Sequence, residues 1–216
     1  AYPLDKPINR KLKIEVKVME NKRLIIIEGA DRCGKSTIAN HLELLYGYRK
    51  YHFSEPFDAN LLYDFLNVKF DTNIVFDRSW LSRIFYTVMR DNFYPYKAIQ
   101  QIQQLEQIFI ENGYDIHYYM VYRNWESVVQ YHIDEIANGD SLSLLQRHKE
   151  HLGWVPFAYV IEQYLNSKIG VINGFEDISK KRSHSICEIF NAKRSVHTMQ
   201  FLRSVGFWQK QCKGNQ

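Results

Sequence analysis

The sequence predicts a three-layer α/β fold: a mostly parallel five-stranded sheet with helices on both faces, a helical lid, and an extra edge strand at the N-terminal end. Three observations carry this expectation. Short apolar runs alternate with longer segments of helical periodicity from Leu24 to about Phe190, the pattern of successive strand–helix–strand units. The run Leu24 to Glu28 is apolar up to its last residue, as a central parallel strand covered on both faces requires. With 216 residues and 45% hydrophobic content, the chain can bury one full core, so residues 24–190 are expected to form one domain between extensions at 1–23 and 191–216.

The elements follow in order. Residues Lys11 to Val18 alternate strictly, with Leu12, Ile14, Val16 and Val18 on one face of a strand whose lysines suit a sheet edge. The strand Leu24 to Glu28 leads through a glycine-framed turn into a helix from about Ser36 to Tyr46. A strand at Lys50 to Phe53, a helical piece near Asn60 to Asn67 and a strand at Asn73 to Asp77 come next. Helices follow from Ser79 to Arg90 and from Tyr96 to Asn112, the second stopped by Gly113. Asp115 to Tyr122 reads as a strand, Asn124 as the cap of a helix toward Ala137, and Asn138-Gly139-Asp140 as a turn. A long helical segment spans about Ser141 to Leu165, with a break at Gly153 or Pro156 as the alternative. A strand at Lys168 to Ile172 and a helix from Glu176 to about Phe190 complete the domain. Phe201, Leu202, Phe207 and Trp208 are too many large apolar groups for a purely disordered tail, so part of the last extension should pack.

The net charge of +4 is unevenly spread. Residues 180–216 carry eight Lys or Arg against Glu188 alone, residues 1–23 are also basic at +4, and the middle is therefore about −7. Basic ends could touch a polyanion such as nucleic acid or could be solubilising extensions, and a homodimer is left open. No apolar run approaches the roughly 18 residues of a membrane span, and no signal peptide opens the sequence. Cys33, Cys187 and Cys212 form no disulfide framework, which fits a reducing compartment and a cytoplasmic location. His132, His148 and His151 lack the companions of a zinc site, and His148 and His151 are expected to face solvent or a nucleotide.

The chemistry concentrates in LIIIEGADRCGKST, residues 24–37. The spacing Gly29-x4-Gly34-Lys35-Ser36 is that of a phosphate-binding loop, whose backbone turns tightly and aims N–H groups at phosphate oxygens. Gly29, Ala30, Cys33, Gly34, Lys35, Ser36 and Thr37 would line the ATP phosphates, with Lys35 reaching the outer ones and Ser36 holding Mg²⁺. The apolar strand Asn73 to Asp77 delivers Asp77 to its C-terminal end, where doubly wound sheets place ligands. Asp77 is thus the second candidate for Mg²⁺ or its waters, with helix capping as a compatible role. Arg78 would be a costly buried charge without an anion, and an acceptor phosphate supplies one.

The combination E-G-A-D-R-C-G-K-S-T with D-R-S resembles the thymidylate kinases, within the wider superfamily of P-loop deoxynucleoside and nucleoside monophosphate kinases. Glu28, Gly29, Asp31, Arg32, Gly34, Lys35, Ser36 and Thr37 match that pattern. The resemblance implies that Asp31 holds the sugar 3′-hydroxyl of an acceptor and that Arg78 binds its phosphate. It also implies a catalytic arginine, which some members place in the loop and others in the lid. Here Arg32 is in the loop, where such a residue can be worth about 10³ to 10⁵ in rate. The expected lid, about residues 130–151, carries only Arg147 and Lys149 as permanent cations. Arg147 is a second candidate for the donor phosphates, with a solvated helix face as its alternative.

Ser54-Glu55-Pro56 resembles the E-P that family members carry after the second strand. For a nucleoside acceptor Glu55 would be the general base; for a monophosphate, whose oxygen is already anionic, Glu55 would position base, sugar or arginine, and it could also merely cap the following helix. Arg78, and Arg83 beyond it, favour the monophosphate. The segment Phe57 to Phe76 is shorter than in thymidylate kinases; Phe57, Tyr63, Phe65 and Phe70 are candidates for base stacking, with core packing as the alternative. Residues Leu144 to Trp154 also look like the lid-adjacent helix of deoxynucleoside kinases. The resulting expectation is ATP- and Mg²⁺-dependent phosphoryl transfer to a deoxynucleoside monophosphate, dTMP first. A kinase acting on a nucleotide within DNA or RNA, and a deoxynucleoside kinase, are the alternatives.

Overall fold

The computed structural model describes residues 21–53, 65, 67–91, 96–173 and 184–185. Six strands form one sheet: β1 (Lys22–Glu28), β2 (Arg49–His52), β3 (Ile74–Asp77), β4 (Tyr114–Tyr122), β5 (Ile169–Asn173) and β6 (His184–Ser185). Their order across the sheet is β2-β3-β1-β4-β5-β6; the first five are parallel and β6 runs antiparallel to β5. The helices are α1 (Lys35–Tyr46), α2 (Trp80–Asp91), α3 (Tyr96–Glu111), α4 (Val129–Ala137) and α5 (Leu144–Ile161). The α/β class and the five parallel strands expected from the sequence are therefore present.

Strand β1 lies between β3 and β4, and its Leu24, Ile26 and Ile27 have no solvent exposure. This is the burial that a continuous apolar run seeks. The register sets Asp77 at the end of β3 beside Ile27 of β1 on one side and beside His52 of β2 on the other. The carboxyl ends of these strands thus deliver polar side chains to one edge of the sheet, the ligand edge of parallel α/β folds. An aromatic cluster of Phe65, Phe76, Trp80, Phe109 and Tyr118 fills the core behind them. Phe65 and Phe70 belong to such packing: Phe65 is buried against Phe53, Phe76 and Trp80, and Phe70 contacts Phe109 and Tyr114. Neither is placed as a base platform. Phe57, Tyr63 and Glu55 lie outside the described residues, as do the expected strand Lys11 to Val18, the last extension, and all of the helical piece near 60–67 except Phe65 and Asn67.

Three local expectations are corrected. The helix from Glu176 to about Phe190 does not hold at His184–Ser185, which pairs with Gly170 and Val171 of β5; the open backbone edge of β5 captures the segment, and sheet pairing outweighs helical periodicity. The long helix neither starts at Ser141 nor breaks at Gly153 or Pro156. It begins after Ser143, whose Oγ accepts from Gln146 N at 3.2 Å, and continues through Pro156 to Ile161. Burial explains this persistence: Trp154 stacks on Phe85 at 4.2 Å between ring centroids and Phe157 packs edge-on to both, which offsets the roughly 3 kcal/mol that an interior proline costs. Asn124 makes no side-chain cap. Its carbonyl accepts instead from Ser127 N at 3.1 Å and Ser127 Oγ at 2.7 Å, forming a 3₁₀ turn before α4.

Candidate active site

The loop between β1 and α1 has the backbone its glycines allow. Gly29 has φ +132°, and a Cβ there would run into the carbonyl oxygen of Val121 on β4. Gly29 is therefore required for close approach of two backbones as well as for the turn. Arg32 and Arg78 both adopt left-handed φ, at 61° and 72°, a conformation that costs a branched or long residue about 1 kcal/mol or more and clusters at functional sites.

Lys35 is 5% exposed, and its Nζ donates to Ala30 O at 2.7 Å and stands 3.8 Å from Asp31 Oδ1. Burial, reinforced by Arg78, pulls its ammonium below the ordinary lysine value against the attraction of Asp31. Asp31 is the hub of the site. Arg78 Nη2 pairs with its Oδ1, and Arg147 Nη1 donates to its Oδ2 at 2.7 Å. Burial works to raise the Asp31 carboxyl, and Lys35, Arg78 and Arg147 together overcome it, so Asp31 titrates below the usual carboxylate range. Arg147 reaches back with Nη2 to Asp140 at 2.6 Å, and Asp140 is held low by that bond and by the Leu142 N–H. Arg32 is half-exposed and pairs with Glu135 of α4, its Nε donating to Oε1 at 2.9 Å. Glu135, drawn up by burial and further down by Arg32 and His132, also ends below its ordinary value.

Helices α4 and α5 and the turn between them are thus fastened to the loop by carboxylate–arginine pairs. A cleft of about 550 Å³ opens between them, walled by Lys35, Ser36, His52, Arg78, Arg123 and Tyr131 among others. Because Asp31, Glu135 and Asp140 have depressed folded-state values, their pairing stabilises the fold above the unfolded carboxylate pKa of about 4 and is lost as pH falls through the folded values. Glu28 and Glu106, raised foremost by burial, act with the opposite sign, losing stability as pH rises through theirs. Comparing the wild type with Asp140→Asn isolates the contribution of the Arg147–Asp140 pair. In denaturant titrations stepped from pH 7 to pH 3, stability of the wild type is expected to fall more steeply than that of the variant; parallel curves would refute the latch.

The structure brings together the sequence-predicted Asp31, Arg32, Lys35, Arg78 and Arg147, with Ser36 and Thr37 lining the same cleft. Cys33 is buried in the loop, and burial pushes its thiol up, as suits a packing residue. Asp77 is 2% exposed; its Oδ2 lies 3.1 Å from His52 Nδ1, and its Oδ1 is a buried oxygen with no hydrogen-bond partner among the described residues. An open carboxylate oxygen with a serine hydroxyl on the cleft wall is the hard-oxygen donor set that Mg²⁺ takes, so these residues fit that ion. Arg83 is buried.

One histidine is corrected. His151 is buried rather than facing solvent, and with the buried His132 and with His148 it surrounds Trp125, the closest ring centroid at 4.6 Å. Sequence reasoning missed Arg123, Glu135, Asp140, His52 and the task of Glu28. Arg123 follows directly on β4 at the ligand edge and donates to Arg32 O at 3.4 Å; its place after an apolar strand was a usable signal. Glu28 accepts from Ser79 N at 2.7 Å, Ser79 Oγ at 2.6 Å, Ser82 N at 3.2 Å and Ser82 Oγ, binding the end of β1 to the start of α2. Glu135 and Asp140 carried no local signal, since their partners lie on other elements.

No protein-family model matches the chain, and no curated protein matches it. Among the described residues no helix is long and apolar enough to cross a membrane. Several solved structures resemble it, two of them as follows. Polyphosphate Kinase 2 from Arthrobacter aurescens TC1 superposes with a TM-score of 0.52 and 16% identity, covering 88% of this chain and 70% of that one. The YorR protein from Bacillus subtilis, in complex with phosphorylated GDP, superposes with a TM-score of 0.50 and 15% identity, covering 81% of this chain and 97% of that one. What this chain shares with both, at that identity, is the fold: a three-layer α/β architecture around a mostly parallel sheet.

Proposed function

We propose that the protein is a nucleotide kinase that moves the γ-phosphoryl group of ATP onto a deoxynucleoside monophosphate, with dTMP the first acceptor to test. The observation that carries this is the convergence of Arg78 and Arg147 on the two oxygens of Asp31, beside the phosphate-loop Lys35. Two guanidiniums aimed at one carboxylate form a site for an oxyanion. An acceptor that brings its own phosphate could compete with Asp31 for them, whereas an uncharged nucleoside would leave them on Asp31.

In the reaction an acceptor phosphate oxygen forms a bond to the γ-phosphorus as the bond from that phosphorus to the β–γ bridging oxygen breaks, and ADP leaves. The loop N–H groups and Lys35 hold the donor phosphates. Arg32, released from Glu135, is placed to neutralise charge on the transferring group, and Arg78 holds the acceptor phosphate. Mg²⁺ bound by Ser36 and Asp77 would supply further charge neutralisation on the donor. The protein's work is alignment and electrostatic stabilisation under a closing lid.

A panel of nucleoside monophosphates, deoxynucleosides and short oligonucleotides, each incubated with labelled ATP and Mg²⁺, tests the reading. Transfer to a deoxynucleoside monophosphate is expected. Transfer confined to deoxynucleosides or to oligonucleotide ends would replace the acceptor, and no transfer to any member would sink the proposal.

A further inference from the structure

Three carboxylates cluster at the ligand edge of the sheet and its loop, and they differ in how their oxygens are engaged. Both oxygens of Glu28 accept from Ser79 and Ser82. Both oxygens of Asp31 are taken by Arg78 and Arg147. Asp77 differs: Oδ2 is held by His52 Nδ1 at 3.1 Å, while Oδ1 is buried without a hydrogen-bond partner among the described residues. The pairing follows from the register, because His52 and Asp77 are direct neighbours across β2 and β3. His52 also stands in the cleft wall with Ser36, nearly half of its side chain exposed, whereas Asp77 is almost wholly buried.

We propose that His52 is a positioning residue for Asp77: by donating from Nδ1 to Oδ2 it fixes the carboxylate rotamer and leaves Oδ1 as the single oxygen free for a divalent cation or its water. This inference rests on the proposed kinase reading, in which Ser36 and Asp77 serve Mg²⁺. A carboxylate attached to one strand end is free to turn about its terminal torsion, which is broad. A hydrogen bond to one oxygen restricts that freedom and selects which lone pairs face the ion. Neighbours that orient metal ligands in this way are typically worth about 10- to 100-fold in metal affinity. The arrangement also accounts for a histidine at this place in β2, where a half-exposed strand end has no packing need for an imidazole. The two nitrogens divide the tasks: Nδ1 serves Asp77, and Nε2 is left for water in the cleft.

The test is Mn²⁺ binding, followed by the electron paramagnetic resonance signal of free Mn²⁺, to the full chain mixed with a non-hydrolysable ATP analogue, the chain kept in excess so that little analogue is left free to bind Mn²⁺ itself. Metal-free affinity for the same analogue and the thermal midpoint are recorded alongside. Asn carries a side-chain N–H close to the place of Nδ1, so His52→Asn is expected to bind Mn²⁺ within about threefold of wild type, while His52→Ala weakens it about 10- to 100-fold. Metal-free nucleotide affinity should stay unchanged in both; the thermal midpoint should fall modestly in His52→Ala, where Asp77 Oδ2 loses its partner, and remain well above the assay temperature. Equal Mn²⁺ affinity in wild type and His52→Ala overturns the positioning role and leaves the kinase reading standing, as does an equal loss in His52→Asn and His52→Ala. A wild type that binds the analogue yet takes up no Mn²⁺ with it overturns the metal assignment and this inference together. A wild type that binds no analogue overturns the kinase reading.

Discussion

Replacing Lys35 with alanine is expected to lower kcat/KM for phosphoryl transfer by at least about 10³-fold while the fold survives. The ammonium sits in a nearly dry position 3.8 Å from Asp31, where a charge interacts far more strongly than it would in water. In the proposed reaction it is the cation nearest the outer donor phosphates, and removal of a single preorganised donor from such a site costs about 10²- to 10³-fold; loss of a full charge exceeds that. The cost to folding is smaller. Asp31 keeps Arg78 and Arg147, so no carboxylate is stranded, and Ala30 O, which loses the 2.7 Å bond, belongs to a loop that opens on the cleft and can take water. The expected destabilisation is about 1–3 kcal/mol, that of one lost buried hydrogen-bond partner. A coupled assay of ADP release and a thermal melt read the two effects separately. Activity within tenfold of wild type would falsify the placement of Lys35 on the donor phosphates.

Glu28→Ala is expected to produce the largest loss of stability from a single change outside the aliphatic core, about 3–5 kcal/mol, the range for removing one partner of a buried, charge-bearing network. Glu28 is 3% exposed and accepts two backbone N–H groups and two hydroxyls from Ser79 and Ser82. The backbone donors belong to the start of α2, where a helix leaves its first N–H groups unsatisfied. The carboxylate therefore acts as a cap supplied from another element, with its charge toward the positive end of the helix dipole. Alanine leaves four donors buried without that acceptor. Because Asp77 ends β3 and Arg78 lies between it and this helix start, the variant should also weaken acceptor binding. Denaturant unfolding with an unchanged m-value tests the first effect, and acceptor titration the second. A shift in stability below 1 kcal/mol would show that the serines find other partners.

Much of the fold was readable from local pattern. Leu24 to Glu28 announces a buried parallel strand because both of its faces are apolar, and β1 is that strand. The phosphate loop was equally plain, since Gly29 and Gly34 at φ +132° and +95° occupy conformations that few other residues adopt at low cost. The errors arose where local signal competes with partners distant in sequence. Pro156 reads as a breaker, but the packing of Trp154 and Phe157 holds the helix together. His184–Ser185 reads as helix, but the free edge of β5 claims it as strand. Phe65, by contrast, reads more readily as core than as platform, and its neighbours Phe53, Phe76 and Trp80 place it in the core.

The same division runs through the candidate site. Sequence by itself determined the identity and order of the glycine-framed loop and the elements around it, because such a loop after a buried strand is specified by residues adjacent in the chain and by backbone sterics. It also supplied Asp31, Arg32, Lys35, Asp77 and Arg78 as the groups with suitable chemistry. Only the tertiary structure decided how those charges are paired: Asp31 with Arg78 and Arg147, which are 47 and 116 residues away, Arg32 with Glu135, and Asp77 with His52. Charge pairing depends on distance and burial in space, and neither is encoded in the spacing of residues along the chain.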